Sequence, residues 1–147
     1  MANLRDVHGD VFKNSSPVFM SRVVDTEGEV ITLSDISGQT IDSSSSEECD
    51  LPVTYSVYLL DDQDADDRTV VTGHDGVELN AEDVIFDDLQ ISAAWTIDTV
   101  GFNFRHQIDG CPNGPFTIAG RRYLVEYKFQ TAGGGKVIVV RFRVNVI

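Results

Sequence analysis

The chain has 147 residues, of which 41% are hydrophobic, and it carries 24 acidic and 11 basic residues, for a formal net charge of −13. A chain of this length fits one domain and buries enough surface to be stable without a metal or a disulfide. The hydrophobic content excludes a disordered chain, the interruption of the apolar runs excludes a membrane-spanning helix, and the scattered charges of residues 1–14 predict no secretory signal.

The first part of the chain predicts an extended arm followed by a hairpin. Residues 1–17 lack a strand pattern and are predicted to form the arm, so that a single domain covers residues 18–147. Val18–Val24 and Val30–Leu33 are predicted to be strands, joined by an Asp-Thr-Glu-Gly turn. The Ser-rich stretch at residues 42–48 is too polar to pack and predicts a solvated loop.

An acidic segment follows the alternating strand predicted at residues 53–59. Carboxylates at alternate positions, Asp62, Asp64 and Asp66, could converge on a calcium ion, which prefers six to eight oxygen ligands. An EF-hand loop would need Gly at the sixth position and Glu at the twelfth, where this chain has Asp67 and Gly73. The pattern therefore favours a solvated acidic tip between strands, with these aspartates as a weak calcium candidate and no cofactor assigned.

The central part of the chain predicts short strands and at most one helical turn. Val70–Thr72 and Val77–Leu79 flank a Gly-His-Asp-Gly segment and are predicted to form a hairpin. Asn80 is predicted to cap a single turn of helix, because β-branched residues follow soon after it.

Two further strands are predicted before the final hairpin. One begins at Trp95, which is predicted to lie in the core between two sheets, and the other covers residues 102–108. His106 alternates with Phe102 and Phe104, and this position predicts a packed, hydrogen-bonded histidine.

The last hairpin is the clearest element of the sequence. Tyr123–Gln130 and Val137–Ile147 are predicted to pair, with the last residue of the first strand opposite the first residue of the second. This register places aromatic and branched side chains together on one face. It also sets Glu126 opposite Arg141 on the outer face, an opposite-charge pair that contributes roughly 0.2–1 kcal/mol.

These patterns predict an all-β fold. Seven to nine short strands with turn signals about every ten residues are typical of an immunoglobulin-like antiparallel β-sandwich. A closed barrel is the alternative, because strand order is not visible in the sequence.

The charges are unevenly distributed along the chain. Residues 1–104 carry 22 acids and four bases, whereas residues 105–147 carry two acids and seven bases. This distribution argues against nucleic-acid binding and suits packing of identical subunits, acidic surface on basic surface. A simpler explanation is that the many acidic residues only keep the protein soluble. Arg121, Arg122, Arg141 and Arg143 are the candidate partner-binding residues.

Residues with catalytic or metal-binding chemistry show no spacing typical of a site. Cys49 and Cys111 are expected to be free thiols, although one bridge between them remains an alternative. His8, His74 and His106 are far apart in sequence and have no metal-ligand spacing. The sequence therefore predicts no catalytic residues and no enzyme; a small hydrolase hidden among the acids is a minor alternative.

Three parts of the chain resemble phage proteins. They are the opening hairpin at residues 23–34, the middle at residues 84–106 and the ending at residues 120–147. The ending contains the sequences Gly-Arg-Arg-Tyr-Leu-Val-Glu-Tyr-Lys-Phe and Arg-Phe-Arg-Val-Asn-Val-Ile. The opening and the ending resemble the N-terminal module of phage baseplate upper proteins, and the middle resembles small proteins of phage and prophage clusters. Baseplate upper proteins continue into helical and receptor-carrying regions, whereas this sequence stops at Ile147.

The resemblance implies a non-enzymatic structural protein of the virion, in the tail, neck or baseplate, assembled in the host cytoplasm. Its expected partners are other virion proteins and further copies of itself, with neither nucleic acid nor membrane. Two alternatives remain open: a decoration protein on the phage head, and a calcium-assisted module that binds a carbohydrate or surface polymer.

Overall fold

A computed structural model describes residues 7–25, 27–36, 53–60, 67–110, 113–131 and 137–147, without the side chain of Ser34. Nine strands lie in these ranges: β1 (Val7–Val11), β2 (Val18–Ser21), β3 (Val53–Leu60), β4 (Arg68–Val70), β5 (Val77–Leu79), β6 (Ile85–Gln90), β7 (Phe102–Gln107), β8 (Arg122–Gln130) and β9 (Val137–Val146). One four-residue helix, α1 (Ala81–Val84), and one 3-10 turn (Leu33–Asp35) complete the regular structure of these residues.

The strands form two sheets that pack together, so the fold is a two-sheet arrangement that is nearly all β. The large sheet has the order β1-β9-β8-β3-β4, and β5 also pairs with β3. The small sheet has the order β2-β7-β6. β1 runs parallel to β9, and the other strand pairs are antiparallel.

The final hairpin has the predicted register. Gln130 lies opposite Val137, and the ladder continues to the pair of Arg122 and Asn145. Glu126 therefore lies opposite Arg141, as predicted. The prediction is confirmed because the alternation of aromatic and branched residues on both strands allows only one pairing in which the apolar faces coincide.

Aromatic side chains fill the space between the sheets. The ring of Phe104 lies 4.7 Å from that of Tyr127 and 5.2 Å from that of Phe129, and Phe19 lies 5.0 Å from Phe142, measured between centroids. Edge-to-face contacts of this kind add about 0.5–1.5 kcal/mol each to the effect of burial. The core thus links β2 and β7 of the small sheet to β8 and β9 of the large sheet.

A buried amide ties the small sheet to the segment that follows β2. The side chain of Asn103 is fully buried, and its Oδ1 accepts a hydrogen bond of 2.7 Å from the backbone N–H of Val23. Its Nδ2 donates to the carbonyls of Val23, at 3.0 Å, and Ile31, at 2.9 Å. Three backbone groups that would otherwise be buried without a partner are satisfied by one side chain.

Several predictions about single elements are corrected. β4 and β5 do not form a hairpin with each other: both pair with β3, which places them end to end along one edge of it. The backbone N–H of Val57 donates to the carbonyl of His74 and that of Val71 donates to the carbonyl of Val57, so the intervening loop is held at the middle of β3.

The strands predicted at Val30–Leu33 and from Trp95 are also absent from the described structure. Val30 makes a single bridge to Val24, and a 3-10 turn begins at Leu33. Trp95 is buried, but it lies in a turn outside the core cluster between the sheets, where its indole donates to Asp98 at 3.0 Å and its ring makes a tilted contact with Phe102.

The helical turn and part of the predicted arm are also described. Asn80 caps α1 and accepts a hydrogen bond from the backbone N–H of Glu82, as predicted. Val7–Val11, within the segment predicted as an arm, form β1 beside β9.

Among the described residues, no helix is long and apolar enough to span a membrane.

Candidate protein-binding face

The outer face of the large sheet is built from every second residue of β3, β8 and β9. The pairings place Val70, Tyr58, Leu124, Arg143 and His8 in one row across the sheet, from β4 to β1. The neighbouring row contains Ser56, Glu126 and Arg141, and the next contains Thr54, Lys128 and Val139. The alternation of side chains along a strand thus gathers residues that are far apart in sequence.

Five of the nine bases that the structure describes lie on this surface, which we call the basic face: Arg68, Arg122, Lys128, Arg141 and Arg143. Three acids accompany them: Glu126 on β8, Glu78 on β5 and Asp10 on β1. The basic face therefore carries an excess of positive charge in a chain whose net charge is −13.

Glu126 lies at the centre of the basic face. Only 7% of the residue is exposed, and its carboxylate lies 3.8 Å from the guanidinium of Arg68 and 3.6 Å from the ammonium of Lys128. Arg141 is its neighbour across the ladder. One carboxylate shared among these bases orients them and leaves the surrounding surface positive.

The basic face also contains apolar and aromatic groups. The guanidinium of Arg68 lies 4.3 Å from the centre of the Tyr58 ring, within cation–π distance. Leu124 is buried between the flanking side chains, and Val139 is half-buried. Arginine and tyrosine side chains around a buried apolar residue are typical of surfaces where proteins bind one another.

The structure places three of the four arginines predicted to bind a partner on the basic face. Arg122, Arg141 and Arg143 belong to the basic face, and Arg121 directly precedes β8, where its guanidinium donates to the carbonyl of Leu60 at 3.1 Å. Lys128 was missed, although strict alternation from Arg122 along the same strand places it on the same face. The contribution of Arg68 depends on the pairing of β4 with β3, which the sequence does not show.

Four exposed acids lie on and directly before the outer strand of the other sheet. Glu82, Asp83, Asp87 and Asp88 are exposed on α1 and β6, and we call them the acidic edge. β6 is an outer strand of the small sheet. The molecule therefore has a basic face on one sheet and an acidic edge on the other, which supports the charge polarity read from the sequence.

Two histidines that are far apart in sequence meet beside Tyr55. The Tyr55 hydroxyl lies 3.0 Å from Nδ1 of His74, and Nδ1 of His106 lies 2.9 Å from the hydroxyl of Tyr127. The hydrogen-bonded role predicted for His106 is thus confirmed, whereas its meeting with His74 was not predicted.

Burial shifts the pKa values of this Tyr–His cluster. The pKa of His106 is lowered to about 4, because burial disfavours the imidazolium more than the nearby Asp109 carboxylate favours it. Burial raises the pKa of Tyr127 well above its ordinary value, and burial together with the charge of Asp109 raises the pKa of Tyr55. At neutral pH the ring of His106 and both phenols are therefore uncharged.

The remaining site candidates lie outside the described residues. These are the calcium candidates Asp62, Asp64 and Asp66 and the cysteines Cys49 and Cys111. Within the described ranges, no three His, Cys, Asp or Glu side chains come close enough to hold a metal ion. Comparison of the chain with protein-family models, with curated proteins and with solved structures gives no match.

Proposed function

We propose that this chain is a non-enzymatic, immunoglobulin-like structural module of a phage virion that assembles through the basic face. The order of the strands supports the immunoglobulin-like assignment. β3, β8 and β9 occupy one sheet, as strands C, F and G do in immunoglobulin domains, and β2, β7 and β6 occupy the other in the order of strands B, E and D.

The observation that carries the proposal is that the basic face and the acidic edge lie on different sheets of the molecule. The basic face presents Arg68, Arg141 and Arg143 around Tyr58 and Leu124, whereas the acidic edge lies on β6 and α1. Opposite charges on different sides of one molecule favour head-to-tail contacts between copies, which form rings when the rotation closes. The resemblance of the sequence at residues 23–34 and 120–147 to phage baseplate proteins supports a place in the tail, neck or baseplate.

Light scattering of the purified protein at low and high salt tests this proposal. We expect a defined oligomer at about 50 mM salt whose mass falls towards that of the 16.2 kDa monomer at about 0.5 M salt, because salt screens contacts between exposed charges. A monomer under both conditions would contradict assembly through the basic face of like subunits.

Charge-reversal variants identify the surfaces involved. Arg141→Glu together with Arg143→Glu is expected to weaken association about tenfold or more, because like charges then face each other. Arg105→Glu, a reversal at an exposed position of β7 on the small sheet, is the matched control and should leave association unchanged.

A second set of variants tests the acidic partner surface. Asp87→Lys with Asp88→Lys is expected to weaken association by itself and to restore it when mixed with the Arg141→Glu, Arg143→Glu double variant. Restoration would show that the basic face of one copy contacts the acidic edge of the next. Loss of association without restoration would contradict this pairing of surfaces.

A further inference from the structure

A cavity of about 350 Å³ opens where β3 and β5 of the large sheet approach the end of β7. Its walls include the rings of Tyr55, His74 and His106 and the apolar side chains of Val77 and Leu79, and Asp109 lies at its rim. A volume of this size suits a small ligand. None of these residues belongs to the basic face or the acidic edge, so the cavity is independent of the proposed function.

Hydrogen bonds fix the aromatic walls of the cavity. Nε2 of His74 lies 2.7 Å from the carbonyl oxygen of Asn113, and a carbonyl only accepts, so Nε2 carries the hydrogen. In the neutral ring, Nδ1 of His74 then accepts from the Tyr55 hydroxyl, which lies 3.0 Å away. The centroid of the Tyr55 ring is 6.0 Å from that of His74 and 5.2 Å from that of His106. The three rings therefore form a preorganised aromatic wall.

The charge at the cavity is negative. Asp109 is exposed, and within the described part of the chain no base forms an ion pair with it. Asp109 lines the cavity together with Tyr55 and His106, so its charge lies beside the aromatic wall. His106 does not neutralise it, because the imidazole is uncharged at neutral pH.

We propose that this cavity binds a small alkylammonium group, with the rings of Tyr55 and His106 against the cation and Asp109 as the counter-ion. A cation beside aromatic faces is attracted by their quadrupoles, and aromatic cages use this attraction to select alkylated ammonium groups. The group is carried either by a free quaternary amine or by the lysine side chain of a partner protein, and the two sources share the same chemistry.

Nuclear magnetic resonance titration of the whole chain with tetramethylammonium chloride tests the inference. We expect saturable shifts of the ring signals of Tyr55, His74 and His106. tert-Butanol, a neutral molecule of nearly the same shape, should give no saturable shift at equal concentration, and sodium chloride controls for ionic strength. Equal responses to the charged and neutral molecules would overturn the proposal.

Variants separate a built site from a general effect of negative charge. Asp109→Asn should weaken tetramethylammonium binding at least fivefold, whereas Asp88→Asn removes the same charge from β6 and should leave it unchanged. Equal weakening by the two aspartate variants would show non-specific attraction and overturn the proposal.

A second ligand identifies the source of the ammonium group. Titration with Nα-acetyl-lysine methylamide should give shifts of the same rings that also depend on Asp109 if a partner's lysine is the ligand. Saturable binding of tetramethylammonium alone would assign the cavity to free quaternary amines. Saturation by neither compound would overturn the inference and leave the assembly proposal unaffected.

Discussion

Substitution of Asn103 by alanine should destabilise the fold more than its small volume suggests. The change removes three hydrogen bonds of 2.7–3.0 Å, to the N–H and the carbonyl of Val23 and to the carbonyl of Ile31. Each contributes about 0.5–1.5 kcal/mol net, and leaving the buried N–H of Val23 without an acceptor costs about 1–3 kcal/mol. We expect the free energy of unfolding to fall by about 3–5 kcal/mol, a large part of the usual 5–15 kcal/mol for a domain.

Urea denaturation followed by tryptophan fluorescence measures this loss, and an unchanged m-value would show that the variant exposes the same surface on unfolding. Gln107→Ala is the matched control: it removes another side-chain amide from β7, but an exposed one, with a single hydrogen bond of 3.1 Å to Ser16. The control should cost about 0.5 kcal/mol or less. A loss of under 1 kcal/mol for Asn103→Ala would refute the reasoning, because water or a backbone shift would then have replaced all three bonds.

Two further predictions concern the pH dependence of stability and the first strand. The pKa of His106 falls from its ordinary 6.5 to about 4 on folding, so the unfolded chain binds a proton more readily than the folded chain. The contribution of neutral His106 to stability is therefore fully present above pH 6.5 and should be lost as the pH falls towards 4. His106→Gln should flatten this part of the urea-midpoint profile, whereas His8→Gln, at an exposed position of β1, should preserve it; equal profiles for both variants would contradict the prediction. Deletion of residues 1–12 should lower the free energy of unfolding by several kcal/mol, because Val7 and Val11 pack against the core and β1 pairs with β9. Deletion of residues 1–6 leaves β1 in place and serves as the comparison. Equal urea midpoints for the two deletions would show that β1 contributes little.

The sequence by itself determined the strands whose two faces differ. Along β8 and β9, aromatic and branched residues alternate with charged ones, so burial of one face fixes both the strand and its register, and Glu126 lies opposite Arg141 as predicted. The helical turn after Asn80 could also be predicted from the sequence, because an N-cap side chain binds the backbone N–H of a residue only two positions away. Both signals depend on residues that are close together in the sequence, and the tertiary contacts agree with them.

Only the tertiary structure decided which strands are neighbours. The Gly-rich segment between β4 and β5 has the composition of a hairpin turn, yet both strands pair with β3, because its long edge offers partners to each of them. The pairing of β1 with β9 joins residues at opposite ends of the chain, and no local pattern encodes such a contact.

The candidate sites divide in the same way. Arg122, Arg141 and Arg143 could be grouped in advance because they lie on one hairpin whose register follows from its own residues. Arg68 joins them only through the pairing of β4 with β3. His74 and His106 both contact Tyr55, because the segment between β4 and β5 is held on β3 and because β7 belongs to the sheet that packs against β3. Alternation along a strand determines which side chains share a face, whereas the packing of sheets determines which faces meet.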